Sequence, residues 1–483
     1  MTPVRVALIN EGTYPFVAGG VSTWCDQLVR GLPEFDFQLV TVTATGGERL
    51  VWALPGNVGG PGAGVIAYPI WGRALPVPNR RRRAATEGAA LLCQGMLAGP
   101  EAAEAGLDRF ALGLRTLTEV AGCGRHPLAG IDVAGALLDA WPAARQAGQS
   151  LPPLTLRDAQ RAAELIEHAL RPLAVCLPRV DLCHPVAGGL PSLIALAAKW
   201  RSGTPMVMSE HGVYLRERYL AFSAGYAPGV KVAVLSFLRA LARLCYQEAD
   251  VIAPVSDFNG RWALRHGAEP AKVITVPNGV DPTRYAPIEG EPAEPTVAWV
   301  GRVDPLKDLD TLIRAFRVVR DAVPAARLRL FGPVPAGNEP YAATCRDLVA
   351  RLDLSGAVTF EGPVPSSRVA FEAGHVAALS SISEGLPYSV LEAMMCSRAT
   401  VSTDVGGVAE AVGDAGMLVP PREPEAFARA CISLLVDPDR RMEMGMKARQ
   451  RALGRFTLDH CVRTYRALYL DLLDSSAAAL VAA

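Results

Sequence analysis

Two glutamates eight residues apart, Glu384 and Glu392, stand in a segment whose residue types could bind a phosphorylated sugar. An apolar run ends near Ser381, a short Gly-Leu-Pro loop follows, and the pattern predicts a helix over residues 388–397, with Pro387 in its first turn. Free N–H groups at a helix N-terminus attract phosphate, and flanking carboxylates can accept hydrogen bonds from sugar or ribose hydroxyls. A helix cap plus an ordinary surface glutamate is the alternative interpretation.

Two cations, Arg302 and Lys307, stand where a strand predicted over residues 296–303 leads into a helix. Such a pair can neutralise a pyrophosphate without a metal, and each charge-assisted contact contributes about 1.5–3 kcal/mol. A pair of solvated surface cations is the alternative. The neighbouring Asp308 and Asp310 have the spacing of a divalent-metal motif, but at the start of a helix capping and dipole compensation are favoured.

Small and imidazole side chains mark the carboxyl ends of strands in the first half of the chain. Gly19 and Gly20 follow the strand predicted over residues 4–9, where they would let a backbone approach a ligand; an ordinary Gly-Gly turn is the alternative. His211 closes a later strand, which favours a functional role, whereas His184 in a similar position is interpreted as structural. There is no G-x-G-x-x-G or Walker sequence, so a nicotinamide-cofactor or ATPase function loses its main support.

Short apolar runs alternate with amphipathic stretches along most of the chain, which predicts α/β architecture with parallel, doubly wound sheets. We expect two Rossmann-like domains in tandem, facing across a cleft at the carboxyl ends of their strands. The first covers residues 1–285 and carries an irregular insertion at about 46–150. A linker rich in Pro and Glu follows at 286–295, the second domain covers 296–455, and a frayed tail begins at 474. The predicted strands are 4–9, 180–184, 206–211, 251–255, 296–303, 327–331, 358–361, 377–381 and 400–403, and the predicted helices are 156–173, 190–200, 232–248, 311–323, 341–352, 366–373, 388–397 and 424–436.

Composition excludes several classes of protein. The 483 residues are 50% hydrophobic and carry 48 basic and 48 acidic side chains, so neither wholesale disorder nor dedicated nucleic-acid binding is expected. Ten cysteines without a C-x-x-C pair predict dispersed buried thiols in a reducing compartment, and no signal peptide or membrane span is visible. We therefore expect a soluble cytoplasmic protein. The run Arg80–Arg83 could contact an anion or a membrane surface, but a solvated loop is favoured.

Three motifs together resemble the retaining glycosyltransferases of family 4, which have the two-domain GT-B fold: Gly301-Arg302 with Lys307, the segment at 276–281, and Glu384-x7-Glu392. The segments at 11–24 and 210–218 are similar to the PelF branch, which serves exopolysaccharide synthesis. The resemblance implies transfer of a sugar, with retained configuration, from a nucleotide diphosphate (by family habit UDP) to a glycan acceptor. It implies no metal and no cofactor. It also implies a cytoplasmic enzyme, peripheral at the inner face of the membrane beside a membrane-bound export assembly.

The resemblance also implies roles for individual residues. Arg302 and Lys307 match the pair that grips the donor diphosphate, Glu384 matches the glutamate that meets the hydroxyls of the transferred sugar, and Glu392 matches the one that binds the ribose. His211 would lie near the sugar or the acceptor, and the helix at 461–473 resembles one that crosses back to the first domain. The remaining donor contacts would come from residues that offer backbone or small side chains: Gly19 and Gly20 from the first domain, Pro363 and Val364 at the nucleobase, and Gly385, Leu386, Pro387, Tyr388 and Ser389 at the phosphates.

Two other functions are compatible with such a fold, because fold alone does not determine function. A nucleotide-sugar epimerase would need acid and base groups that act on the sugar itself. A non-catalytic nucleotide-sugar-binding component of a polysaccharide assembly would be favoured by loss of the cationic pair or of either glutamate. All four residues are present in the chain, which favours the transferase.

Overall fold

The computed structural model describes residues 3–59, 64–72, 74–222 and 225–482; for residues 221 and 476–482 it describes the backbone only. The chain divides into two compact units. The first comprises residues 1–254, 260–275 and 465–483, and the second comprises 255–259 and 276–464. Residues 60–63 and 73 of the predicted insertion, and residue 483 of the predicted tail, lie outside the described residues.

The first unit is built on parallel strands whose apolar side chains are buried on both faces, as in the buried run of the first strand. Its strands are β1 (Arg5–Glu11), β2 (Asp36–Thr43), β3 (Val65–Pro69), β4 (Leu75–Pro76), β5 (Arg125–His126), β6 (Leu182–Pro185), β7 (Val207–Glu210) and β8 (Val251–Pro254). Its helices are α1 (Gly20–Gly31), α2 (Asn79–Met96), α3 (Ala103–Val120), α4 (Val133–Gln146), α5 (Leu156–Ala169), α6 (Leu190–Ser202), α7 (Tyr214–Ala221), α8 (Pro228–Glu248) and α9 (Asp257–Arg265). The last of these helices begins in residues assigned to the second unit.

The main sheet of the first unit has the order β3-β2-β1-β6, and β7 pairs with β8. One further parallel bridge, between Cys183 and Met206, connects the two pairings, so the strand order is Rossmann-like. The sequence prediction missed β2 because Gln38, Thr41 and Thr43 interrupt its apolar run, although all three are buried in the structure.

The second unit contains a six-stranded parallel sheet in the order β11-β10-β9-β12-β13-β14, which is a Rossmann-like, doubly wound arrangement. Its strands are β9 (Thr296–Val300), β10 (Arg327–Phe331), β11 (Val358–Gly362), β12 (Val376–Leu379), β13 (Ala399–Thr403) and β14 (Met417–Val419). Its helices are α10 (Leu309–Ala322), α11 (Glu339–Arg351), α12 (Ser367–Glu372), α13 (Tyr388–Met395), α14 (Val408–Val412), α15 (Pro424–Leu435), α16 (Pro438–Arg455) and the start of α17 (Leu458–Ala482). The α/β fold class with two Rossmann-like units is confirmed.

The stretch predicted as an insertion, for which the irregular periodicity predicted no elements, contains the three helices α2, α3 and α4. Its glycines serve helix packing. A Cβ added at Gly95 would lie 2.4 Å from the backbone nitrogen of Phe110, and one at Gly113 would lie 2.7 Å from the carbonyl oxygen of Gly88. The backbones of α2 and α3 therefore lie in close contact at these glycines, and any larger side chain there would prevent the contact. Arg80–Arg83 belong to the start of α2 and not to a loop.

The predicted linker at 286–295 belongs to the second unit. Backbone and side-chain contacts attach it there. The Ile288 N–H donates to the Cys396 carbonyl over 3.1 Å, Arg398 donates to the Gly290 carbonyl over 2.9 Å, and Glu291 forms an ion pair with Arg441 at 2.6 Å. Proline and glutamate are typical of linkers, but here the glutamate has a buried arginine as its partner.

Two further expectations need correction. Cys123 and Cys176 form a disulfide with a Cα–Cα separation of 5.0 Å, so they are not the buried thiols predicted; the other eight cysteines are buried and form no disulfide with any residue that the structure describes. The frayed tail predicted from residue 474 is helical to Ala482, in keeping with the high helix propensity of its alanines. Among the described residues, no helix is long and apolar enough to cross a membrane.

Candidate active site

An ion pair joins two of the predicted donor-binding residues in the second unit. The Lys307 ammonium lies 2.5 Å from Oε1 of Glu384, and both side chains are partly buried. Lys307 ends a short 3-10 turn after β9, and Glu384 lies in the loop after β12, so the contact connects the carboxyl ends of two neighbouring strands. Serine hydroxyls hold both partners: Ser381 donates to Glu384 Oε1 over 2.6 Å and Ser380 donates to the Lys307 carbonyl over 2.7 Å.

Arg302 lies two residues beyond β9 and exposes its guanidinium to solvent. Among the residues that the structure describes, no carboxylate forms an ion pair with it. Its neighbour Gly301 packs against the Trp299 indole, to which an added Cβ would approach within 2.9 Å. The backbone is thus held close to the sheet at this point, while the cation that follows it is available to a ligand.

Two hydrogen bonds to its backbone carbonyl groups hold the loop between Glu384 and Pro387 in place. The Asn278 side-chain amide donates to the Leu386 carbonyl over 2.8 Å, and the Gly407 N–H donates to the Gly385 carbonyl over 2.8 Å. Asn278 is buried and was quoted in the sequence only as part of a motif, so its role in holding this loop was missed.

The helix α13 follows this loop, and its N-terminus has no side-chain cap from the part of the chain that the structure describes. Pro387 is the residue before the first turn and not in it, with φ −74° and ψ 122°, whereas the helix begins at Tyr388 as predicted and ends at Met395, two residues before the predicted end. Tyr388 and Ser389 open the helix. A helix N-terminus whose amides are not capped by a side chain carries the partial positive charge that favours a phosphate.

Glu392 projects from the second turn of α13 and is held by two hydroxyl groups. Tyr285 donates to Oε1 over 2.9 Å, and Ser367 donates to Oε2 over 2.6 Å. Burial raises the pKa of the Glu392 carboxyl, and the two hydroxyl donors oppose that rise. Burial, followed by the charge of Glu392, raises the pKa of Tyr285 to about 12. No sequence signal had marked Tyr285 or Ser367.

Pro363 and Val364, predicted at the nucleobase, follow Gly362 at the carboxyl end of β11. Gly362 has φ +74°, a conformation that favours glycine, so the chain turns sharply as it leaves the strand. Pro363 is exposed, and Val364 packs against Ala298, Phe331 and Ala370. The two residues thus lie at the same edge of the second sheet as Arg302, Lys307 and Glu384.

In the first unit, Gly19 directly precedes α1, and no heavy atom of a described residue lies within 4 Å of a Cβ added there; Gly20 begins the helix. No side chain of residues 3–59, 64–72, 74–222 and 225–482 caps this N-terminus. His211 follows β7 with its ring centroid 4.4 Å from that of Trp24. Its Nε2 is buried with no hydrogen-bond partner among the described residues, and burial lowers its pKa to about 3.

His184 is structural, as the sequence analysis favoured. Its Nδ1 lies 2.5 Å from the Tyr469 hydroxyl and its Nε2 lies 2.6 Å from the Ser209 hydroxyl, so both ring nitrogens are satisfied. Sequence analysis missed a second feature at this edge of the sheet. Glu11, at the end of β1, accepts a hydrogen bond from Tyr214 and forms an ion pair with Arg218.

The two aspartates near Lys307 stabilise the start of a helix, as the sequence analysis favoured. Asp308 caps α10 and accepts a hydrogen bond from the Thr311 hydroxyl over 2.7 Å, and Asp310 pairs with Arg314 at 2.7 Å. Among the described residues, no group of three or more His, Cys, Asp or Glu side chains is arranged to hold a metal ion.

Comparisons with known proteins divide the chain in the same order. Residues 4–271 match a family model described as "Domain of unknown function (DUF3492)", and residues 294–437 match one described as "Glycosyl transferases group 1". Similar curated proteins include the D-inositol 3-phosphate glycosyltransferases of Kineococcus radiotolerans and Nocardia farcinica. The first is 33% identical over 53% of this chain and 64% of its own length, and the second is 35% identical over 48% and 53%. The match spans less than two thirds of either relative.

Solved structures resemble almost the whole chain at low sequence identity. The sucrose-phosphate synthase of Thermosynechococcus elongatus has a TM-score of 0.63 at 17% identity, covering 98% of this chain and 100% of its own. Anabaena HepE in complex with UDP-glucose has a TM-score of 0.60 at 14% identity, covering 97% and 99%. At such identities the likeness shows the fold, which is that of GT-B glycosyltransferases.

Proposed function

Because the chain belongs to the family described as "Domain of unknown function (DUF3492)" and its second unit to glycosyl transferases group 1, we propose that it transfers a sugar from a nucleotide diphosphate to a glycan. The observation that carries the proposal is the Lys307–Glu384 contact, which unites the loops after β9 and β12 beside the α13 N-terminus. Cations, carboxylates and the amides of a helix N-terminus are the groups that a sugar diphosphate would use.

The chemical step breaks the bond between the anomeric carbon and the diphosphate oxygen, so negative charge grows on the departing diphosphate. Arg302, Lys307 and the α13 amides would stabilise that charge as fixed positive groups. Glu384 would accept hydrogen bonds from sugar hydroxyls and Glu392 from the ribose. These roles follow the family resemblance, and the positions of the residues at one edge of the second sheet support them.

The proposal includes retention of the anomeric configuration, with attack of the acceptor from the face the diphosphate leaves, and it requires no bound metal. A UDP-linked sugar is the first donor to test, since HepE is a structural neighbour solved with UDP-glucose. The family resemblance assigns Gly19 and Gly20 to donor binding and His211 to the sugar or the acceptor. The PelF resemblance adds an exopolysaccharide acceptor and a cytoplasmic enzyme beside a membrane-bound export assembly.

Binding of the donor can be tested by thermal unfolding with a panel of nucleotide sugars, because a ligand that binds only the folded protein raises Tm. We expect a rise with UDP and UDP-sugars that is lost in Arg302→Ala. Substitution of Arg302 gives the clearest test, because among the described residues no carboxylate forms an ion pair with it and none would be left unpaired. Lys307→Ala would instead leave the carboxylate of Glu384 without its cation. Arg429→Ala, an exposed arginine of α15, is the matched control.

Turnover provides the second readout. We expect Arg302→Ala to lower kcat about a hundredfold or more, because loss of one preorganised donor to a developing anion costs about 2.7–4 kcal/mol. Arg429→Ala should retain wild-type turnover. Full activity in Arg302→Ala would remove this cation from the mechanism. The anomeric configuration of the new glycosidic bond, read from the product by NMR, tests retention separately.

A further inference from the structure

The arginine run at the start of α2 is not explained by the helix it begins. Arg80, Arg81, Arg82 and Arg83 are all exposed, and the first turn contains no acidic residue. The helix dipole places partial positive charge at this end, so four cations there oppose the dipole instead of complementing it. Such an arrangement costs helix stability, which calls for a role outside the helix.

The contacts of these arginines leave their charge uncompensated. Arg81 donates to the Val120 carbonyl over 3.0 Å and Arg82 donates to the Gly130 carbonyl over 2.6 Å, both of which are neutral acceptors. Over the described part of the chain, none of the four arginines forms an ion pair with a carboxylate. Glu87 lies one turn along the same helix, yet it pairs with none of them in the structure. The positive charge is therefore available to an anionic partner.

Exposed apolar side chains stand in the chain just before this helix. Leu75, in β4 just before the helix, is 60% exposed and pairs across the strands with Arg125 of β5, whose guanidinium donates to the Pro76 carbonyl over 3.0 Å. Arg125 is also exposed. Trp71, four residues before Leu75, is 56% exposed. We call Trp71, Leu75, Arg80, Arg83 and Arg125 the basic–apolar surface.

We propose that the basic–apolar surface docks this protein onto anionic phospholipid bilayers. Arginines bind lipid phosphates and are attracted by the negative potential of the leaflet, while a leucine and a tryptophan can enter the headgroup region. Neither signal is strong alone, but the surface combines both. The formal net charge of zero and the exposed apolar side chains favour a bilayer over a nucleic acid. This inference deepens the proposed function and rests on it for the location beside a membrane, but no residue of the donor site takes part in it.

The test is co-sedimentation of the full chain with vesicles of phosphatidylcholine alone and with vesicles containing about 30% phosphatidylglycerol. We expect binding only to the anionic vesicles, weakening as NaCl is raised because the salt screens exposed charges. The double variant Arg80→Glu/Arg83→Glu should weaken binding at least tenfold. Leu75→Ser should weaken it at every salt concentration, since the apolar contact is not screened.

The matched control is Arg440→Glu/Arg455→Glu, which changes the net charge equally at exposed positions on α16. It should bind anionic vesicles like the wild type, and circular dichroism should show that all variants are folded. Equal loss of binding in the control would mean that net charge alone matters and would overturn the proposal. So would equal binding to both kinds of vesicle, or binding to heparin or duplex DNA without binding to vesicles. The UDP-dependent rise in Tm should be unchanged in Arg80→Glu/Arg83→Glu, which separates this test from that of the proposed function.

Discussion

At the scale of single residues, the candidate donor site is held together by hydroxyl groups. Ser381 and Lys307 share one oxygen of Glu384, while Tyr285 and Ser367 each take one oxygen of Glu392. Because each carboxylate oxygen can accept more than one hydrogen bond, this arrangement orients the glutamates without exhausting them. Tyr285 and Ser367 are therefore positioning residues for whatever Glu392 binds.

Loss of either hydroxyl should reduce the discrimination between nucleotides with and without ribose hydroxyls. In Tyr285→Phe and Ser367→Ala we expect UDP to bind about tenfold more weakly, since a hydrogen bond to a charged group contributes about 1.5–3 kcal/mol. Binding of 2′,3′-dideoxy-UDP should change little. The measurement is the ratio of the two Kd values by calorimetry.

Tyr341→Phe is the control for that experiment, because its hydroxyl accepts a hydrogen bond from the backbone N–H of Leu309 in the same unit. It should lower stability and leave the ratio of Kd values unchanged. If Tyr285→Phe also left the ratio unchanged, Tyr285 would have no part in ribose recognition.

At the scale of elements, the N-cap of α10 determines where the site residue Lys307 lies. Asp308 caps the helix, and the apolar residues Leu309, Leu312, Ile313 and Phe316 recur at the spacing of one buried face. Asp308 has φ +47°, which is unusual for a residue other than glycine, and its side-chain bonds to Thr311 hold it there. The cap sets where the helix begins, and hence where the preceding Lys307 stands.

Removal of this cap should lower stability measurably. We expect Asp308→Ala to lower the free energy of unfolding by about 1 kcal/mol, the usual cost of losing an N-cap. The control Asp310→Ala breaks only an exposed i,i+4 ion pair and should cost about 0.3–0.5 kcal/mol. Urea unfolding at neutral pH measures both.

The same pair of aspartates tests the proposed independence from metal. Because their carboxylates are used by Thr311 and Arg314, EDTA should leave glycosyl transfer largely intact. Loss of activity in EDTA that manganese restores would instead assign a metal to Asp308 and Asp310.

At the scale of the whole molecule, buried ionisable groups in the first unit make its stability depend on pH. Burial lowers the pKa values of His184, His211 and His126 to about 3, 3 and 4, from an ordinary value of about 6.5. Burial raises the pKa of Glu210 to about 8. Below pH 6.5 these three histidines therefore bind protons in the unfolded chain but stay neutral in the folded protein. Between about pH 4.5 and 8 the folded Glu210 keeps a proton that the unfolded chain releases.

These shifts predict that the free energy of unfolding falls as the pH is lowered from about 6.5 toward 4.5, because three histidines outweigh one carboxyl. The free energy of unfolding should also decline as the pH rises toward 8, because unfolding then releases the proton that Glu210 keeps in the folded protein. In the acidic window the net difference of two protons, three minus one, corresponds to at most about 2.7 kcal/mol per pH unit from these groups. Urea unfolding at several pH values measures the slope.

His184→Asn should make the acidic slope shallower by about one proton, whatever its effect on stability at pH 7. The exposed His460→Asn is the control and should leave the slope unchanged. An unchanged slope in His184→Asn would mean that this imidazole is not the acid-sensitive group.

The sequence by itself determined the parallel α/β class and most of the second unit. Strand runs such as that of β12 are apolar because they are buried on both faces, and helix caps such as Asp308 depend on near neighbours in the chain. The motif residues Arg302, Lys307, Glu384 and Glu392 could be recognised for the same reason, since strand ends and helix starts are local signals.

Only the tertiary structure decided which distant groups meet. Tyr285 and Ser367 reach Glu392 across 107 and 25 residues, and Asn278 reaches Leu386 across 108; no periodicity encodes such pairings. The glycine-rich stretch read as irregular is a closely packed helix pair, because glycine looks the same in a sequence whether it permits a turn or a close approach. Local signals follow from a few neighbouring residues, whereas these contacts depend on how the whole chain packs.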